Sequence, residues 1–408
     1  MDKTDRLNNA FNFSSLLADA EILRPGLCEW RRHIHAFPEL SGEEVETGKY
    51  VAQVLAKIGL TEIVSEYAQT AAVIATIQGD LPGPVVALRA DLDALPILEG
   101  NDVPYVSQHP GVMHACGHDV HTSVLLGAAQ LLWLRRSQIK GQVRLIFQPA
   151  EERSDCLGAS HLIQAGVLAN PPVEAIFGLH VYPDLPIGTM ATRPGPMMAS
   201  ADVFQITLKG KGSHAARPHH SIDPILMAAQ AVNALHQLVS RRVDPFQPAV
   251  LTIGFIQGGA AENVIPEAVT LGGTVRTLCP QLREQFPRWI EDLLQGVVGS
   301  HGGSFELNYQ YGTAPVVNHP DTTAFAFQTL RQLLGFDQVR LLPEPSMGGE
   351  DFGAYLQAIP GTFLRLGVRS PEKAKIPGLH NPHFDIDEAA LPVGAAALAA
   401  LALAWPEN

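Results

Sequence analysis

The segment HACGHD, residues 114–119, combines two imidazoles, a thiol and a carboxylate within six residues. Thiolate, imidazole and carboxylate groups are the usual ligands of zinc, and they also suit nickel, cobalt and manganese. The same residues can instead form a cysteine nucleophile, Cys116, with His114, His118 or His121 as its base. A third interpretation is a polar turn around a small buried cysteine. The segment alone leaves all three open.

Glu151 and Glu152 form a second reactive feature, directly after the apolar run VRLIFQPA. Two adjacent carboxylates would repel each other in a protein core. One resolution is that one ligates a metal ion while the other activates a water molecule; the alternative is a solvated acidic loop. A structural metal site fills its coordination shell and needs no spare carboxylate. The pair therefore favours a catalytic metal site, and a cysteine nucleophile would leave both glutamates without a role.

The elements that must position these residues alternate between apolar strands and helices. Runs such as PVVALRAD and VEAIFGLHV are separated by helical segments such as DVHTSVLLGAAQLLWLRR. This pattern predicts an α/β domain with a largely parallel, twisted sheet flanked by helices. Ligands bind beyond the carboxyl ends of the strands in such sheets. Side chains that can ligate a metal ion or act as an acid or base occur at these predicted strand ends: Asp91, Asp93, Glu151, Glu152, His180 and, after TFLRLGV, His380.

Local patterns predict three helices of particular interest. An amphipathic helix covers roughly residues 14–36, and another begins near Ser41, where Glu44 three residues on completes a capping box. The run AALPVGAAALAALALAW is shorter than the about 20 residues of a membrane-spanning helix and is interrupted by Pro392 and Gly394. We predict that this run is a buried terminal helix.

The length of 408 residues exceeds what one hydrophobic core usually holds, which predicts two domains. Between residues 199 and 311 the pattern changes to that of an α+β unit, beginning with the polar and apolar alternation of DVFQITLKGKG. The apolar βα pattern resumes afterwards. We therefore predict a discontinuous catalytic domain of residues 1–198 and 312–408, with a smaller domain of residues 199–311 inserted into it.

The composition, 46% hydrophobic and 17% charged, is that of a soluble globular protein. A formal net charge of −13 argues against nucleic acid as a partner, because phosphate binding needs clustered Lys and Arg. The N-terminus lacks the cationic start and apolar run of a signal peptide, and the four cysteines form no CxxC pair. These features predict a cytoplasmic protein with no membrane partner.

Nine segments together resemble one known family: RRHIHAFPELSGEE, LRADLDALPI, HACGHDVHTSVLLGAA, LIFQPAEE, GLHVYPDLPIGT, GKGSHAARPH, ENVIPEAVTLGGTVRT, MGGEDFGAYL and LHNPHFDIDE. In these segments the chain resembles the co-catalytic metallo-amidohydrolases of the aminoacylase and carboxypeptidase superfamily. It is most similar to the branch of hippurate hydrolases, N-acyl-L-amino acid amidohydrolases and plant indole-acetyl-amino acid hydrolases. The resemblance implies a metallopeptidase catalytic domain and an inserted domain that serves as lid and dimerisation surface.

The resemblance also implies roles for individual residues. The ligands of a two-metal centre, holding zinc, manganese, cobalt or nickel, would be Cys116, His118, Glu152, His180 and His380. Glu151 would be the general acid/base, and Asp93 would orient the metal centre from behind. His214 would polarise the scissile carbonyl of a neighbouring active site. Asn263 and Arg276 would bind polar groups of the substrate, with Arg276 on its free carboxylate.

The predicted reaction is metal-dependent hydrolysis of the amide bond of an N-acyl amino acid. The acyl group would be an acetyl, benzoyl or aryl-acetyl group, and the protein would act as a homodimer or higher oligomer through the inserted domain. A metallo-dipeptidase or carboxypeptidase acting on small peptides is the alternative enzyme. A non-catalytic protein that binds a metal or ligand on the same fold is the alternative outside enzymes.

Overall fold

A computed structural model of the chain describes residues 13–153 and 158–405. In chain order the helices are α1 (Phe13–Ile22), α2 (Arg24–Ala36), α3 (Val45–Ile58), α4 (His118–Leu134), α5 (Ala159–Gln164), α6 (Pro224–Arg242), α7 (Pro280–Arg283), α8 (Phe286–Ser300), α9 (Pro320–Leu334), α10 (Phe352–Ala358) and α11 (Ala390–Ala404). The N-terminal residues before Phe13, on which the signal-peptide prediction depends, lie outside the described ranges.

The strands are β1 (Glu62–Tyr67), β2 (Ala72–Gln78), β3 (Leu81–Asp91), β4 (Lys140–Gln148), β5 (Ala175–Pro186), β6 (Met190–Thr192), β7 (Gly195–Met198), β8 (Ala201–Lys209), β9 (Ser213–His214), β10 (Ala249–Gly258), β11 (Val264–Ile265), β12 (Ala268–Thr277), β13 (Ser304–Thr313), β14 (Val316–Asn318), β15 (Val339–Leu341) and β16 (Gly361–Arg369). The chain divides into two compact units. The first comprises Met1–Gly195, Asn318–Pro343 and Ala354–Asn408, and the second comprises Pro196–Val317 and Glu344–Gly353.

The first unit is built on one eight-stranded sheet with the order β1-β2-β4-β3-β5-β16-β6-β15. Neighbours β4 and β3, β3 and β5, β5 and β16, and β6 and β15 run parallel. Strands β2 and β16 are buried over almost their whole length, and β5 is buried from Ala175 to Val181. Continuous burial is what the apolar runs predict for strands covered on both faces. The prediction of an α/β fold with a mainly parallel sheet flanked by helices is confirmed.

Helix α11 is buried against α4, as predicted for the terminal apolar run. Pro392 lies in the first turn of α11, where its missing N–H costs no helical hydrogen bond. A Cβ atom on Gly394 would lie 2.9 Å from Val124 Cγ2 of α4, so the glycine permits the close approach of the two helices. Within residues 13–153 and 158–405, no helix is both long and apolar enough to cross a membrane.

Two of the local helix predictions are wrong in detail. The helix expected over residues 14–36 is two helices, because Pro25 in the first turn of α2 cannot accept a continuous helix through it. The capping box is also wrong. Helix α3 begins at Val45, and neither Ser41 nor Glu44 caps it with its side chain. Both side chains instead bond to the loops that carry the candidate site, as described below.

The second unit contains a four-stranded antiparallel sheet with the order β10-β12-β8-β13. Burial alternates along β8, which is typical of a sheet with one covered face. Helices α6 and α8 contribute Leu235 and Leu294 to the core of this unit. The segment Glu344–Gly353 belongs to this unit, whereas the sequence pattern assigned it to the catalytic domain. The place of this segment in the second unit depends on tertiary contacts, which sequence periodicity does not encode.

Candidate metal centre

The candidate site lies at the carboxyl ends of the central strands of the eight-stranded sheet. Strand β3 ends at Asp91 and β4 ends at Gln148, and these two residues are register partners. The pairing of β3 with β5 stops at Gly178, two residues before His180. His180 itself lies within β5, so the predicted strand end at this residue is wrong. It nevertheless lies at the same end of the sheet as Asp91, because β3 no longer pairs with β5 at this point.

The turn before α4 brings Cys116 and His118 together. Gly117 has a φ of +85°, a left-handed conformation that favours glycine, and a Cβ atom there would lie 2.6 Å from Val181 Cγ2. His118 is the first residue of α4. The sulfur of Cys116 lies 3.4 Å from His180 Nε2. Ligand atoms of Cys116, His118 and His180 all lie within 4.8 Å of one another.

Two further groups of ligand atoms overlap with this one. Cys116, Glu152 and His380 form one group, and His118, Glu151 and Glu152 form the other, each within 4.8 Å. His380 has a φ of +61°, and its backbone N–H donates to the carbonyl of Ala115 over 2.8 Å. This bond fastens the His380 loop to the cysteine turn. The structure thus brings together all five predicted ligands and the predicted general base.

The chemistry of His118 tests whether these residues fit a metal ion. Its Nδ1 is 3.0 Å from Asp93 Oδ1, while its buried Nε2 has no hydrogen-bond partner in the described part of the chain. Ligating histidines in proteins commonly donate their other ring nitrogen to a carboxylate, which orients the ring. An unpaired buried nitrogen among thiol and carboxylate groups is costly unless a cation occupies the site. The residues fit a divalent metal.

Burial governs the state of the Cys116 thiol. Burial, the largest cause, and the charges of Glu152 and Asp91 together raise the pKa of Cys116 to about 12, against a lowering by His118. A catalytic cysteine needs a lowered pKa, because the thiolate is the nucleophile. A bound cation, by contrast, deprotonates a coordinating thiol. The environment of Cys116 therefore favours a ligand over a nucleophile.

Asp93 is the residue on which several site loops converge. Burial alone would raise its pKa, but hydrogen bonds from His118, the Ser41 hydroxyl and the Glu152 N–H lower it. The Glu152 N–H donates to Asp93 Oδ2 over 2.9 Å, and Ser41 Oγ donates to the same oxygen. The ionised carboxylate thus holds one predicted ligand by its ring and another by its backbone. This is the arrangement expected of a residue that orients the site from behind.

Glu44 braces the loop that carries Glu151. Its Oε1 accepts hydrogen bonds of 2.8 Å from the N–H groups of Ala150 and Gly42. Ala150 has a φ of +56°, so the turn before Glu151 is strained and needs this support. Burial, together with the charge of Asp93, raises the pKa of Glu44 from 4.5 to about 7. Sequence reasoning missed this role, since Glu44 is an ordinary helix-start residue by pattern.

Asp119 anchors the first turn of α4. Its Oδ2 accepts from Arg31 Nε over 2.7 Å and lies 2.8 Å from His35 Nδ1. Burial would raise the pKa of Asp119, but Arg31 and His35 hold it well below its usual range. Arg31 also contacts Asp385, in the segment that follows His380, over 2.7 Å. This buried network connects α2, α4 and the His380 loop.

The predicted substrate-binding residues belong to the second unit. His214 in β9 pairs with Val264 of β11, and the N–H of Ala215 donates to the carbonyl of Asn263 over 3.0 Å. These contacts place His214 and Asn263 on adjacent segments. Arg276 lies in β12 and donates from Nη1 to the carbonyl of Met347 over 3.0 Å. His214 and Asn263 are exposed, and Arg276 is partly buried.

The fold and the ligand cluster are together those of a metal-dependent hydrolase of the α/β class. The Peptidase family M20/M25/M40 matches residues 87–404, and the chain belongs to this family. The resemblance inferred from the nine sequence segments is thereby confirmed.

Three similar proteins show how far the likeness extends. N-acetylcysteine deacetylase of Bacillus subtilis is 42% identical over 92% of this chain and 96% of its own length. Thermostable carboxypeptidase 1 of Saccharolobus solfataricus is 38% identical over 99% of both chains. The crystal structure of a Bacillus subtilis protein described as a dinuclear metal-binding peptidase of family M20 superposes with a TM-score of 0.82. That protein is 39% identical, and the match covers 94% of this chain and 98% of the other.

Proposed function

We propose that this protein is a metal-dependent amidohydrolase that cleaves the amide bond of N-acyl-L-amino acids. The products are a carboxylic acid and the free amino acid. The observation that carries the proposal is the overlap of the three ligand groups, with Glu151 beside the predicted ligand Glu152. The likeness to an N-acetylcysteine deacetylase supports an N-acyl amino acid as substrate. N-acetyl, N-benzoyl and aryl-acetyl amino acids are the proposed substrate class.

Two divalent ions, chosen from zinc, manganese, cobalt and nickel, would be held by Cys116, His118, Glu152, His180 and His380. When bound, such ions lower the pKa of water and polarise a carbonyl group. Glu151 accepts the proton of the attacking water on a carboxylate oxygen and then delivers it to the amide nitrogen of the leaving amine. Asp93 keeps His118 in the tautomer that leaves Nε2 available. The dinuclear relative supports the number of ions.

We also propose the second unit as the source of substrate-binding groups. His214 Nδ1 accepts the Ala216 N–H over 3.0 Å, so the neutral ring carries its proton on Nε2. An Nε2–H donor suits the oxyanion that develops from a scissile carbonyl. The planar fork of Arg276 suits the free carboxylate of an amino acid. Asn263 adds amide groups that can bind the polar atoms of the substrate.

The same unit is the proposed lid and dimerisation domain. Strand β10 is at the edge of its sheet, and its Val250, Phe255 and Ile256 are exposed. An exposed apolar edge strand is an aggregation risk unless another chain covers it. We expect a homodimer by size-exclusion chromatography with light scattering, and a monomer for Ile256→Lys. A wild-type protein that is monomeric at all concentrations would contradict this assignment.

A cytoplasmic location is proposed as well. Cys28, Cys116 and Cys279 are free thiols in the described part of the chain, and a reducing compartment preserves the thiol of a cysteine ligand. The net charge of −13 supports a small-molecule substrate over a nucleic acid partner.

The direct test is hydrolysis of N-acetyl, N-benzoyl and indole-acetyl amino acids by enzyme reconstituted separately with zinc, manganese, cobalt or nickel. Dipeptides and N-blocked peptides form the second arm, because the carboxypeptidase relative supports a peptidase as the alternative. Faster cleavage of the N-acyl amino acids supports the proposal. Preferential cleavage of peptides would favour the alternative. No cleavage of any substrate by fully metal-loaded protein would favour a non-catalytic protein.

A further inference from the structure

Behind the proposed ligands lies a buried cluster that no step of the proposed reaction uses. Asp91 Oδ1 is 2.6 Å from His121 Nδ1, and Asp91 Oδ2 accepts from Arg89 Nη1 over 2.6 Å. All three side chains are almost completely buried. Asp91 and His121, with His118, also form a group whose ligand atoms lie within 4.8 Å of one another. The question is whether this cluster holds a metal or does something else.

The hydrogen bonds of His121 answer the question. The backbone N–H of Val181 donates to His121 Nε2 over 2.9 Å, so this nitrogen is an acceptor. The neutral ring must then carry its proton on Nδ1 and donate it to Asp91. Both carboxylate oxygens of Asp91 are therefore occupied, one by His121 and one by Arg89. Both ring nitrogens of His121 are engaged, so His121 has no free ligand atom for a further cation.

The Val181 peptide links this cluster to a proposed ligand. Its N–H is held by His121, and its carbonyl accepts from His180 Nδ1 over 2.8 Å. Strand β3, whose pairing with β5 stops at Gly178, no longer covers this part of β5. His121 therefore satisfies a buried amide that would otherwise lack a strand partner. The carbonyl bond in turn fixes His180 in the tautomer with an unprotonated Nε2, the nitrogen that lies 3.4 Å from the Cys116 sulfur.

We propose that His121, held by Asp91 and Arg89, is the positioning residue for the metal ligand His180 and acts through the Val181 peptide. This inference rests on the proposed function for the identity of His180 as a ligand. The chain of contacts from Arg89 to His180 runs through side chains and one peptide group, with distances from 2.6 to 2.9 Å. Its effect is on metal affinity and ligand geometry.

Two substitutions separate the two hydrogen bonds of His121. The amide oxygen of Gln reaches as far along the side chain as Nε2 of His, so His121→Gln keeps an acceptor for the Val181 N–H. The amide nitrogen of Asn corresponds to Nδ1, so His121→Asn keeps a donor for Asp91 but not the acceptor. His161→Asn is the matched control, because His161 lies in the same unit and its side chain bonds only to the Ala68 carbonyl among the described contacts.

The measurements are zinc affinity by competition with a chelator and the ligand-field spectrum of the cobalt-substituted protein. We expect His121→Asn to lose about 10- to 100-fold in the affinity of one ion, the usual effect of removing a partner behind a ligand. His121→Gln should stay within roughly threefold of wild type, with the cobalt spectrum preserved. In the metal-free protein, hydrogen exchange of the β5 peptide should be faster in His121→Asn than in His121→Gln.

Equal affinities for His121→Asn and His121→Gln, while wild type binds two ions, would overturn this inference and leave the proposed function standing. A wild-type protein that binds no ion would overturn both. Far-ultraviolet circular dichroism of each variant establishes that a loss of affinity is not a loss of fold. An effect of His161→Asn as large as that of His121→Asn would also overturn the specific role of His121.

Discussion

Most proposed functional residues of the first unit are held more firmly than those of the second, although His380 of the first unit is exposed. In the first unit Cys116, His118 and Asp93 are buried, and His118 and Asp93 bond to each other. In the second unit His214 and Asn263 are exposed. Buried, braced groups keep their geometry before a ligand arrives, which metal binding and proton transfer require. Exposed groups can adjust to substrates of different size, as expected of residues that bind variable parts of a substrate.

The two sheets reflect the same difference. Strand β5 is buried along most of its length and carries His180, whereas β8 is buried only at alternate positions. A strand buried on both faces is fixed by packing from both sides, and substitutions in it are felt strongly. We therefore expect substitutions in the first unit's site to have the larger effects. The following predictions test that ranking.

The largest effect is expected for Glu151→Gln. Loss of a general acid/base typically costs about 10²- to 10⁴-fold in rate, and kcat for an N-acyl amino acid should fall by that factor. The protein should still fold and bind two ions, which elemental analysis after dialysis measures. Glu46→Gln, at an exposed glutamate of α3, is the control and should keep wild-type kcat. Substantial turnover by Glu151→Gln would remove Glu151 from its assigned role.

A pH-dependent stability difference is expected from Glu44. Its pKa is about 7 in the folded protein and 4.5 when unperturbed, so the folded state binds the proton more tightly. Its favourable contribution is present below pH 4.5 and is lost as the pH rises through 7. Relative to Glu44→Gln, the metal-free wild type should lose about 3 kcal/mol of unfolding free energy across this range. Urea unfolding at several pH values measures it; parallel pH profiles for the two proteins would contradict it.

The contact of Asp93 with His118 predicts an intermediate effect. Asp93→Asn removes the charge that orients the ring and bonds to the Glu152 N–H. Metal affinity should fall by about 10- to 100-fold, measured by competition with a zinc chelator. Substitution of the exposed His214 by Ala should leave metal affinity unchanged while lowering kcat/KM. If His214→Ala weakened metal binding as much as Asp93→Asn, the contrast between the two units would be wrong.

The smallest effect is expected from a cap in the second unit. Asp223 caps α6 by accepting from the N–H groups of Ile225 and Leu226. Asp223→Ala should cost about 1 kcal/mol of stability, seen as a lower midpoint of urea unfolding. The metal content should not change. Glu291→Ala, on the exposed surface of α8, is the control, and an equal loss in that variant would show that Asp223 has no specific capping role.

The parts of the fold that depend on local pattern were predictable from the sequence. Continuous apolar runs identified the buried strands, and the carboxylates and imidazoles at their ends indicated a metal site. The local signals failed where a distant partner decides the outcome. Ser41 and Glu44 fit a capping box by spacing, yet they bond to Asp93 and to Ala150, 52 and 106 residues away. A hydrogen-bond partner at such a separation leaves no periodic signal.

His121 shows the same limit within the site. It follows the HACGHD segment and could be considered only as a base for Cys116. Its partners are Asp91 and the Val181 N–H, 30 and 60 residues away in the chain. The role follows from where β3 stops pairing with β5, which depends on the length of each strand. Strand ends are the least certain feature of any sequence pattern. For this reason the end of β5 was predicted wrongly at His180, which lies within the strand.

The most direct test of the account is the response of N-acyl amino acid hydrolysis to metal removal and to thiol alkylation. The account predicts that dialysis against a chelator abolishes turnover and that zinc, manganese, cobalt or nickel restores it. Iodoacetamide should leave the metal-loaded enzyme active, because the Cys116 sulfur is buried and is proposed as a metal ligand. Turnover that survives complete metal removal and is abolished by iodoacetamide would contradict the account and make Cys116 a nucleophile.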